Sequence, residues 1–129
     1  MANLLLDTHA LLWWLAEDRA MPDSALKLIA DKSNTVMVSA ASAWEIATKV
    51  RLGKLNVAVQ IVENFLTYLA NDRFVSLSVT TQHGIRAGSL PGPHKDPFDR
   101  MLIAQALEEN LRIVSNEGIF DSYGVTRLW

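Results

Sequence analysis

The feature that most constrains this chain is the alternation of short apolar runs with longer segments whose apolar residues recur at helical spacing. The short runs are LLL, VMVS, FVSLSV and RIVS, with VTRLW as a shorter fifth near the end. Strands that alternate with helices in this way are typical of α/β domains, in which helices cover both faces of a parallel sheet. We therefore predict a three-layer α/β/α fold with a parallel sheet of four or five strands.

The pattern predicts the elements in order along the chain. Strands are expected at Leu4–Leu6, at Val36–Ser39, at Phe74–Val79, and in the RIVS and VTRLW segments. Helices are expected at Thr8–Ala16, from Pro22 and Asp23 to about Ala30, at Ala40–Leu52, Val59–Ala70, Thr80–Ala87 and Pro97–Asn110. The segment GSLPGPHKDP has two glycines and three prolines, which mark a loop before the last helix.

Length and composition exclude several classes of protein. We expect one domain over residues 1–129, because domains commonly run about 100 to 200 residues. The chain has no cysteine, which excludes disulfides and thiolate metal sites. Its longest apolar stretch, ALLWWLA, is far shorter than the roughly 20 residues that span a bilayer, so we expect a soluble, cytoplasmic protein without a membrane partner. A net charge of −2 argues against nucleic-acid binding through a general positive field.

Acidic side chains follow the predicted strands. Asp7 comes directly after LLL, Glu45 lies in the helix after VMVS, and Glu117 follows IVSN. Because the carboxyl ends of parallel strands lie at one edge of a sheet, we expect these acids to meet there. Asp96 and Asp99 are three residues apart at the start of a helix and can point to the same side. Carboxylates gathered in one pocket repel one another unless a cation neutralises them, and Mg²⁺, or Mn²⁺ in its place, suits such oxygen ligands.

The segments LLLDTHALLWW, VSAASAWEIATKVRLGKL, LPGPHKDPFDRMLIAQA and IVSNEGIFDSYGV together cover nearly the whole chain. In this order they resemble PIN-domain ribonucleases of the VapC toxin type. The resemblance implies Mg²⁺-dependent endonucleolytic cleavage of RNA, a cognate antitoxin protein as partner, and a homodimer. It places Asp7, Glu45 and Asp99 on the metal, with Asp96 and Glu117 completing a second site or orienting water.

The last acidic position departs from the family pattern. That position is usually an aspartate two residues after a serine or threonine, whereas here Glu117 follows Ser115. Glutamate reaches one methylene further, so metal binding through water and direct binding both stay open for Glu117. Thr8 and Ser115 are expected to hydrogen-bond to the ligating acids and to orient them.

Basic side chains flank the acids in the sequence. His94, Lys95 and Arg100 are candidates for contacts to substrate phosphates, with an ordinary solvated loop as the alternative. Lys49 lies one turn after Glu45, so it forms either an i,i+4 salt bridge or a phosphate contact. Positive charge on both sides of an acidic centre suits an RNA backbone that crosses a metal site.

Each acid also has a structural alternative. Asp7 and Asp96 precede predicted helices as N-caps do, and Ser42 with Glu45 matches the spacing of a capping box, although Ser42 lies too far into its helix to cap it. Capping explains each acid separately but not why the acids follow successive strands. The sequence leaves open two other functions: a PIN-type nuclease in RNA processing or DNA repair, and a catalytically inactive PIN-like interaction module.

Four more residues carry expectations that a structure can check. His83 is expected at the surface, apart from the other histidines. The tryptophans Trp13, Trp14 and Trp44 lie at helical positions and are expected in the core or in a subunit interface rather than as platforms for base stacking.

Overall fold

The chain forms a sheet of five parallel strands, as the sequence predicts. The computed structural model describes residues 1–55 and 59–129. The strands are β1 (Asn3–Leu6), β2 (Thr35–Ser39), β3 (Val75–Leu77), β4 (Arg112–Val114) and β5 (Arg127–Leu128). Their order is β3-β2-β1-β4-β5, and every pair is parallel. The first strand in the sequence is therefore the central strand of the sheet.

Seven α-helices and one 3-10 helix connect the strands in the described residues. They are α1 (Thr8–Leu15), α2 (Asp23–Ala30), α3 (Ala40–Arg51), α4 (Val59–Glu63), α5 (Phe65–Asn71), α6 (Thr81–Ser89), α7 (Pro97–Glu109) and the 3-10 helix Gly118–Tyr123. Within these described ranges, the structure has no helix whose length and apolar character would allow it to cross a bilayer.

Two predicted elements differ from those observed. The single helix predicted over Val59–Ala70 is wrong, since the chain forms α4 and α5 with Asn64 between them at φ −123° and ψ 28°. The break is confined to the backbone angles of this residue, because the Asn64 N–H still donates to the Gln60 carbonyl at 3.1 Å and the Asn64 carbonyl accepts from the Tyr68 N–H at 3.0 Å. The strand predicted over Phe74–Val79 is shorter, because only Val75–Leu77 pairs with β2.

The core lies on both faces of the sheet. Side chains alternate across a strand, so Leu4 and Leu6 of β1 pack on one face while Leu5 packs on the other. Leu4 and Leu6 belong to a cluster that includes Leu11 of α1. Leu5 belongs to a second cluster, whose other members include Leu102, Ile103, Ile113 and Phe120. This burial fixes the position of the end of β1, and with it the position of Asp7, the next residue.

His83 is buried, so its predicted surface position is wrong. Only 1% of it is exposed. Its Nδ1 accepts a hydrogen bond from the Thr80 N–H at 3.1 Å, while the Thr80 hydroxyl accepts from the His83 N–H, which makes a capping box at the start of α6. On its other side, His83 Nε2 lies 2.9 Å from Glu109 Oε1 and joins α6 to α7.

Candidate active site

The carboxyl ends of β1 and β4 bring three predicted site residues together. Asp7 follows β1, and its N–H donates to the carbonyl of Val114, the last residue of β4, at 3.2 Å. Ser115 comes next after Val114 and is fully buried. The Ser115 hydroxyl accepts a hydrogen bond from the Glu117 N–H at 2.9 Å, which turns the chain just beyond the strand. The end of the sheet thus holds Asp7, Ser115 and Glu117 in one place.

Asp7 serves the fold as well as the site. Its Oδ1 accepts a hydrogen bond from the Ala10 N–H at 2.7 Å, so it is the N-cap of α1. A cap of this kind typically contributes about 1 kcal/mol. The structure therefore shows the alternative role that the sequence left open for Asp7, and it shows this role at the strand edge where the acids were expected.

Glu45 reaches the same edge from α3. Only 5% of it is exposed, and Thr8 donates a hydrogen bond from its hydroxyl to Glu45 Oε1 at 2.7 Å. Thr8 Oγ1 also lies 3.1 Å from the hydroxyl oxygen of Ser42. Ser42 lies inside α3, as the sequence predicts, and the helix is capped instead by Ser39, whose hydroxyl accepts a bond from Ala41 N–H at 3.0 Å.

Lys49 forms the i,i+4 salt bridge with Glu45. Its Nζ donates to Glu45 Oε2 at 2.6 Å, so both carboxylate oxygens of Glu45 have hydrogen-bond donors. The hydrogen bond to Glu45 raises the pKa of Lys49, and the negative charges of Asp96 and Asp99 raise it further. Lys49 therefore lies in the field of acids from two helices.

The start of α7 contributes the last two acids. Asp96 caps this helix, with its Oδ1 accepting bonds from the N–H groups of Phe98 and Asp99 at 2.9 and 3.2 Å. Asp99 is largely buried, and its Oδ2 lies 2.9 Å from His94 Nε2. Asp96 thus caps α7 and also lies beside Asp99. Asp7 likewise caps α1 and also lies among the acids at the end of the sheet.

Burial and mutual repulsion act on these carboxylates together. Burial raises the pKa of Asp7 to about 6, although hydrogen bonds from Ser115 and Ala10 oppose the rise, and repulsion from Glu117 adds to it. Burial also raises the pKa of Asp99; the His94 hydrogen bond opposes this effect, while the charges of Asp96 and Glu117 reinforce it. The charge of Glu117 therefore raises the pKa both of the acid after β1 and of the acid in the first turn of α7.

The chemistry of these carboxylates suits a divalent cation, although they are not arranged around a common point. No group of three histidine, aspartate or glutamate side chains in the described part of the chain has the arrangement of a metal site. The acids instead have protein partners: Lys49 for Glu45, His94 for Asp99, and His9 for Glu117 at 3.1 Å. Buried, mutually repelling oxygen ligands are what a hard ion such as Mg²⁺ stabilises.

The basic candidates differ in their surroundings. Arg100 braces the loop before α7, since its guanidinium nitrogens donate to the carbonyls of Ala87, His94 and Leu90 at 3.0, 3.1 and 2.5 Å. This geometry gives no support to the expectation that Arg100 contacts a phosphate. His94 faces Asp99, and Lys95 is exposed on the loop. Lys95 is therefore the candidate whose charge faces solvent.

Two features of the site were not predicted from the sequence. His9 lies beside Glu117, on the helix that Asp7 starts, and Ser42 contacts Thr8 from α3. The first contact joins residues 108 positions apart, which no local pattern encodes. Ser42 had a local signal, since it precedes Glu45 by nearly one helical turn and therefore lies on the same side of α3.

Acidification is expected to stabilise the metal-free protein through Asp7. Its pKa in the folded state, about 6, lies above the ordinary value of 3.8, so the folded state takes up a proton first as the pH falls. The resulting stabilisation grows from pH 7 to pH 5 and is lost as the pH rises through 6. Thermal melts in a chelator at both pH values should show a smaller pH dependence for Asp7→Asn than for the wild type.

Asp18→Asn is the matched control for this comparison. Asp18 is an exposed carboxylate that also accepts a local backbone hydrogen bond, from Ala20 N–H at 2.8 Å. It should keep the wild-type pH dependence. An equal pH dependence in the Asp7→Asn variant would show that Asp7 is not the titrating group.

The described residues thus form a five-stranded parallel sheet with acids gathered at its carboxyl edge. The PIN domain model matches residues 4–125. The chain belongs to the PIN-domain family.

Among members of this family, the chain is similar to VapC-type proteins. Ribonuclease VapC22 of Mycobacterium tuberculosis (strain ATCC 25618 / H37Rv) is 28% identical over 118 residues, which cover 91% of this chain and 88% of the relative. VapBC2 from Rickettsia felis, solved with a DNA fragment from its promoter, matches with a TM-score of 0.70 at 19% identity, covering 98% of this chain and 97% of that one. FitAcB from Neisseria gonorrhoeae matches with a TM-score of 0.66 at 20% identity, covering 98% and 96%. The two solved structures support the fold.

Proposed function

We propose that this protein is a Mg²⁺-dependent endoribonuclease and the toxin of a toxin–antitoxin pair, acting in the cytoplasm as a homodimer. The observation that carries the proposal is the convergence of acids at the carboxyl edge of a PIN-domain sheet. Asp7 bonds to Val114 at the end of β4, Glu117 bonds to the adjacent Ser115, and Thr8, which follows Asp7, bonds to Glu45. The name of the M. tuberculosis relative, a ribonuclease, supports RNA as the substrate. The VapBC2 structure supports an antitoxin partner.

Asp7, Glu45 and Asp99 are the residues proposed to hold the metal, with Asp96 and Glu117 beside them. When bound there, Mg²⁺ would polarise a phosphoryl oxygen of the RNA and lower the pKa of a water that it holds. The chain's own contribution is to orient the ligands. The Ala10 N–H fixes one oxygen of Asp7, and Thr8 fixes one oxygen of Glu45. Such partners commonly change metal affinity or activity by about 10- to 100-fold when they are removed.

Cations at the rim are proposed to hold the RNA backbone. The negative charges of Asp96 and Asp99 raise the pKa of Lys49, which places its ammonium group near both acids. Lys95 directly precedes Asp96 and is exposed. His94 is placed beside Asp99, where it limits how that carboxylate can rotate. Phosphates that contact these side chains would pass directly over the acids.

A cleavage assay separates this function from its rivals. We expect the wild type to cut single-stranded RNA when Mg²⁺ or Mn²⁺ is present and to stop when a chelator is added. Cleavage confined to structured RNA would favour an RNA-processing nuclease, and cleavage of DNA a repair nuclease. No cleavage of any of the three substrates, together with no metal-dependent stabilisation, would leave the inactive interaction module as the function.

Metal binding itself can be measured without activity. Mg²⁺ is expected to raise the melting temperature of the wild type, with a stabilisation of about 1.4 kcal/mol when the free ion is at ten times its dissociation constant. The Asp99→Asn variant should show a much smaller rise. The control Glu63→Gln changes an exposed carboxylate on α4 and should respond as the wild type does. Equal rises in Asp99→Asn and the wild type would remove Asp99 from the metal site.

A further inference from the structure

Trp44 is exposed beside the acidic site, so of its two expected locations, the core and a subunit interface, the structure excludes the core. Its exposed fraction is 66%, whereas Trp13 and Trp14 pack half-buried against the core. The ring of Phe98 meets the Trp44 ring edge to face, with 4.9 Å between centroids. A large aromatic ring held by a second ring but open to solvent is a surface on which a planar ligand can stack.

The two residues of this aromatic pair are sequence neighbours of two acids of the site. Trp44 directly precedes Glu45 on α3, and Phe98 directly precedes Asp99 on α7. Successive residues of a helix are rotated by about 100° around its axis, so Trp44 points outward while Glu45 is buried at the site. The pair therefore lies at the border of the acidic site.

A pocket of about 380 Å³ adjoins the pair. Its lining includes Trp44, Phe98, Val79, Met101 and Lys95. Pockets that hold small molecules commonly have about 300 to 1,000 Å³ and a mainly apolar lining with few polar groups. Lys95 adds positive charge to the rim, which suits a ligand that carries a phosphate.

We propose that Trp44 and Phe98 form a stacking site for one nucleobase of the RNA strand, next to the nucleotide whose phosphate lies over the acids. This inference rests on the proposed function, because it assumes that RNA crosses the acidic site. It adds a substrate-binding residue that recognises the base, whereas the acids and lysines act on the backbone. A base needs an apolar face to stack on and an adjacent cation for its phosphate, and this pocket offers both.

Binding of RNA by a cleavage-deficient protein tests the proposal. The probe is a fluorescein-labelled single-stranded RNA of random sequence, 12 nucleotides long by design, and its anisotropy is measured with Asp7→Asn as the parent. Stacking on an aromatic ring is worth about 1–3 kcal/mol per base, so adding Trp44→Ala should weaken binding about 5- to 150-fold. Trp44→Phe should bind within about threefold of the parent, and Trp44→Leu as weakly as Trp44→Ala.

Two controls separate stacking from other causes. Ile85→Ala alters an apolar side chain that is equally exposed, at 66%, but does not line the pocket, and it should leave RNA binding unchanged. An RNA of the same length without bases should bind the parent and the Trp44→Ala variant equally. Circular dichroism melts of every variant verify that each is folded at the assay temperature.

Each remaining outcome overturns the proposal in a distinguishable way. Unchanged RNA binding by Trp44→Ala, or an equal loss for the RNA without bases, would show that Trp44 does not stack on a base. Loss of a dimer in sedimentation by Trp44→Ala, with RNA binding intact, would show that the pair contacts a second copy of the chain. If the wild type cuts RNA but Trp44→Ala changes neither binding nor cleavage, only the stacking site is overturned. If the parent does not bind RNA and the wild type does not cut it, the proposed function is overturned too.

Discussion

Asp7→Asn is expected to lower RNA cleavage by about 100-fold or more while the metal-free protein remains folded. Loss of a partner that merely orients a metal ligand commonly costs about 10- to 100-fold, so loss of a ligand should cost at least as much. The fold is preserved because the amide oxygen of asparagine can accept the bond from Ala10 N–H that the Asp7 carboxylate accepts now. The variant therefore removes the charge and keeps the cap.

The stability of the same variant should move in the opposite direction. A pKa of about 6 in place of 3.8 means that ionised Asp7 opposes folding at neutral pH, by up to about 3 kcal/mol. Neutral asparagine relieves this cost, so the melting temperature in a chelator should stay unchanged or rise, by no more than about 10 °C. Cleavage kinetics and thermal melts measure the two effects, with Asp18→Asn as the matched control for both.

The combination of results decides the role of Asp7. Retained cleavage would exclude Asp7 as a metal ligand. Lost cleavage with a large fall in melting temperature would instead assign Asp7 a structural role, since the loss of activity would follow from unfolding.

Phe120→Ala is expected to destabilise the protein by about 3–5 kcal/mol. Phe120 is fully buried in the cluster that packs under Leu5 of the central strand. Removing a buried phenyl ring leaves a cavity that the surrounding side chains refill only in part. Domains of this kind have total stabilities of about 5–15 kcal/mol, so this single change removes a large share.

Denaturant unfolding measures this effect, and Leu66→Ala provides the contrast. Leu66 is also a large apolar residue, but 73% of it is exposed, and its replacement should cost less than about 0.5 kcal/mol. Since Phe120 lies on the 3-10 helix that directly follows Glu117, its loss should also reduce cleavage at temperatures where the protein stays folded. A cost below about 1 kcal/mol would mean that this side of the core repacks around the gap.

Much of the fold was predictable because it depends on local periodicity. The strand ends near Leu6, Ser39 and Val114, and the loop before Pro97, all have signals within a few residues, and parallel pairing then brings Asp7 and Ser115 to one edge. The break at Asn64 was less accessible, because apolar residues continue at helical spacing across it. The two short helices are separated by the backbone angles of Asn64, φ −123° and ψ 28°, which the spacing of apolar residues does not encode.

The proximity of the acids to one another was more predictable than their hydrogen-bond partners. Strand order explains why the acids meet, but the partner of each acid depends on side chains from distant segments. His9 with Glu117 and Thr8 with Glu45 are such pairs. Trp44 shows the same limit, since its place on an amphipathic helix is compatible with burial until the neighbouring helix is in position.

The outermost strands of the sheet are very short, with three residues in β3 and two in β5. Few main-chain amides and carbonyls are therefore left open for another polypeptide to pair with, and this arrangement disfavours fibril formation and the joining of sheets between molecules. Contacts between copies are consequently expected to run through helical surfaces.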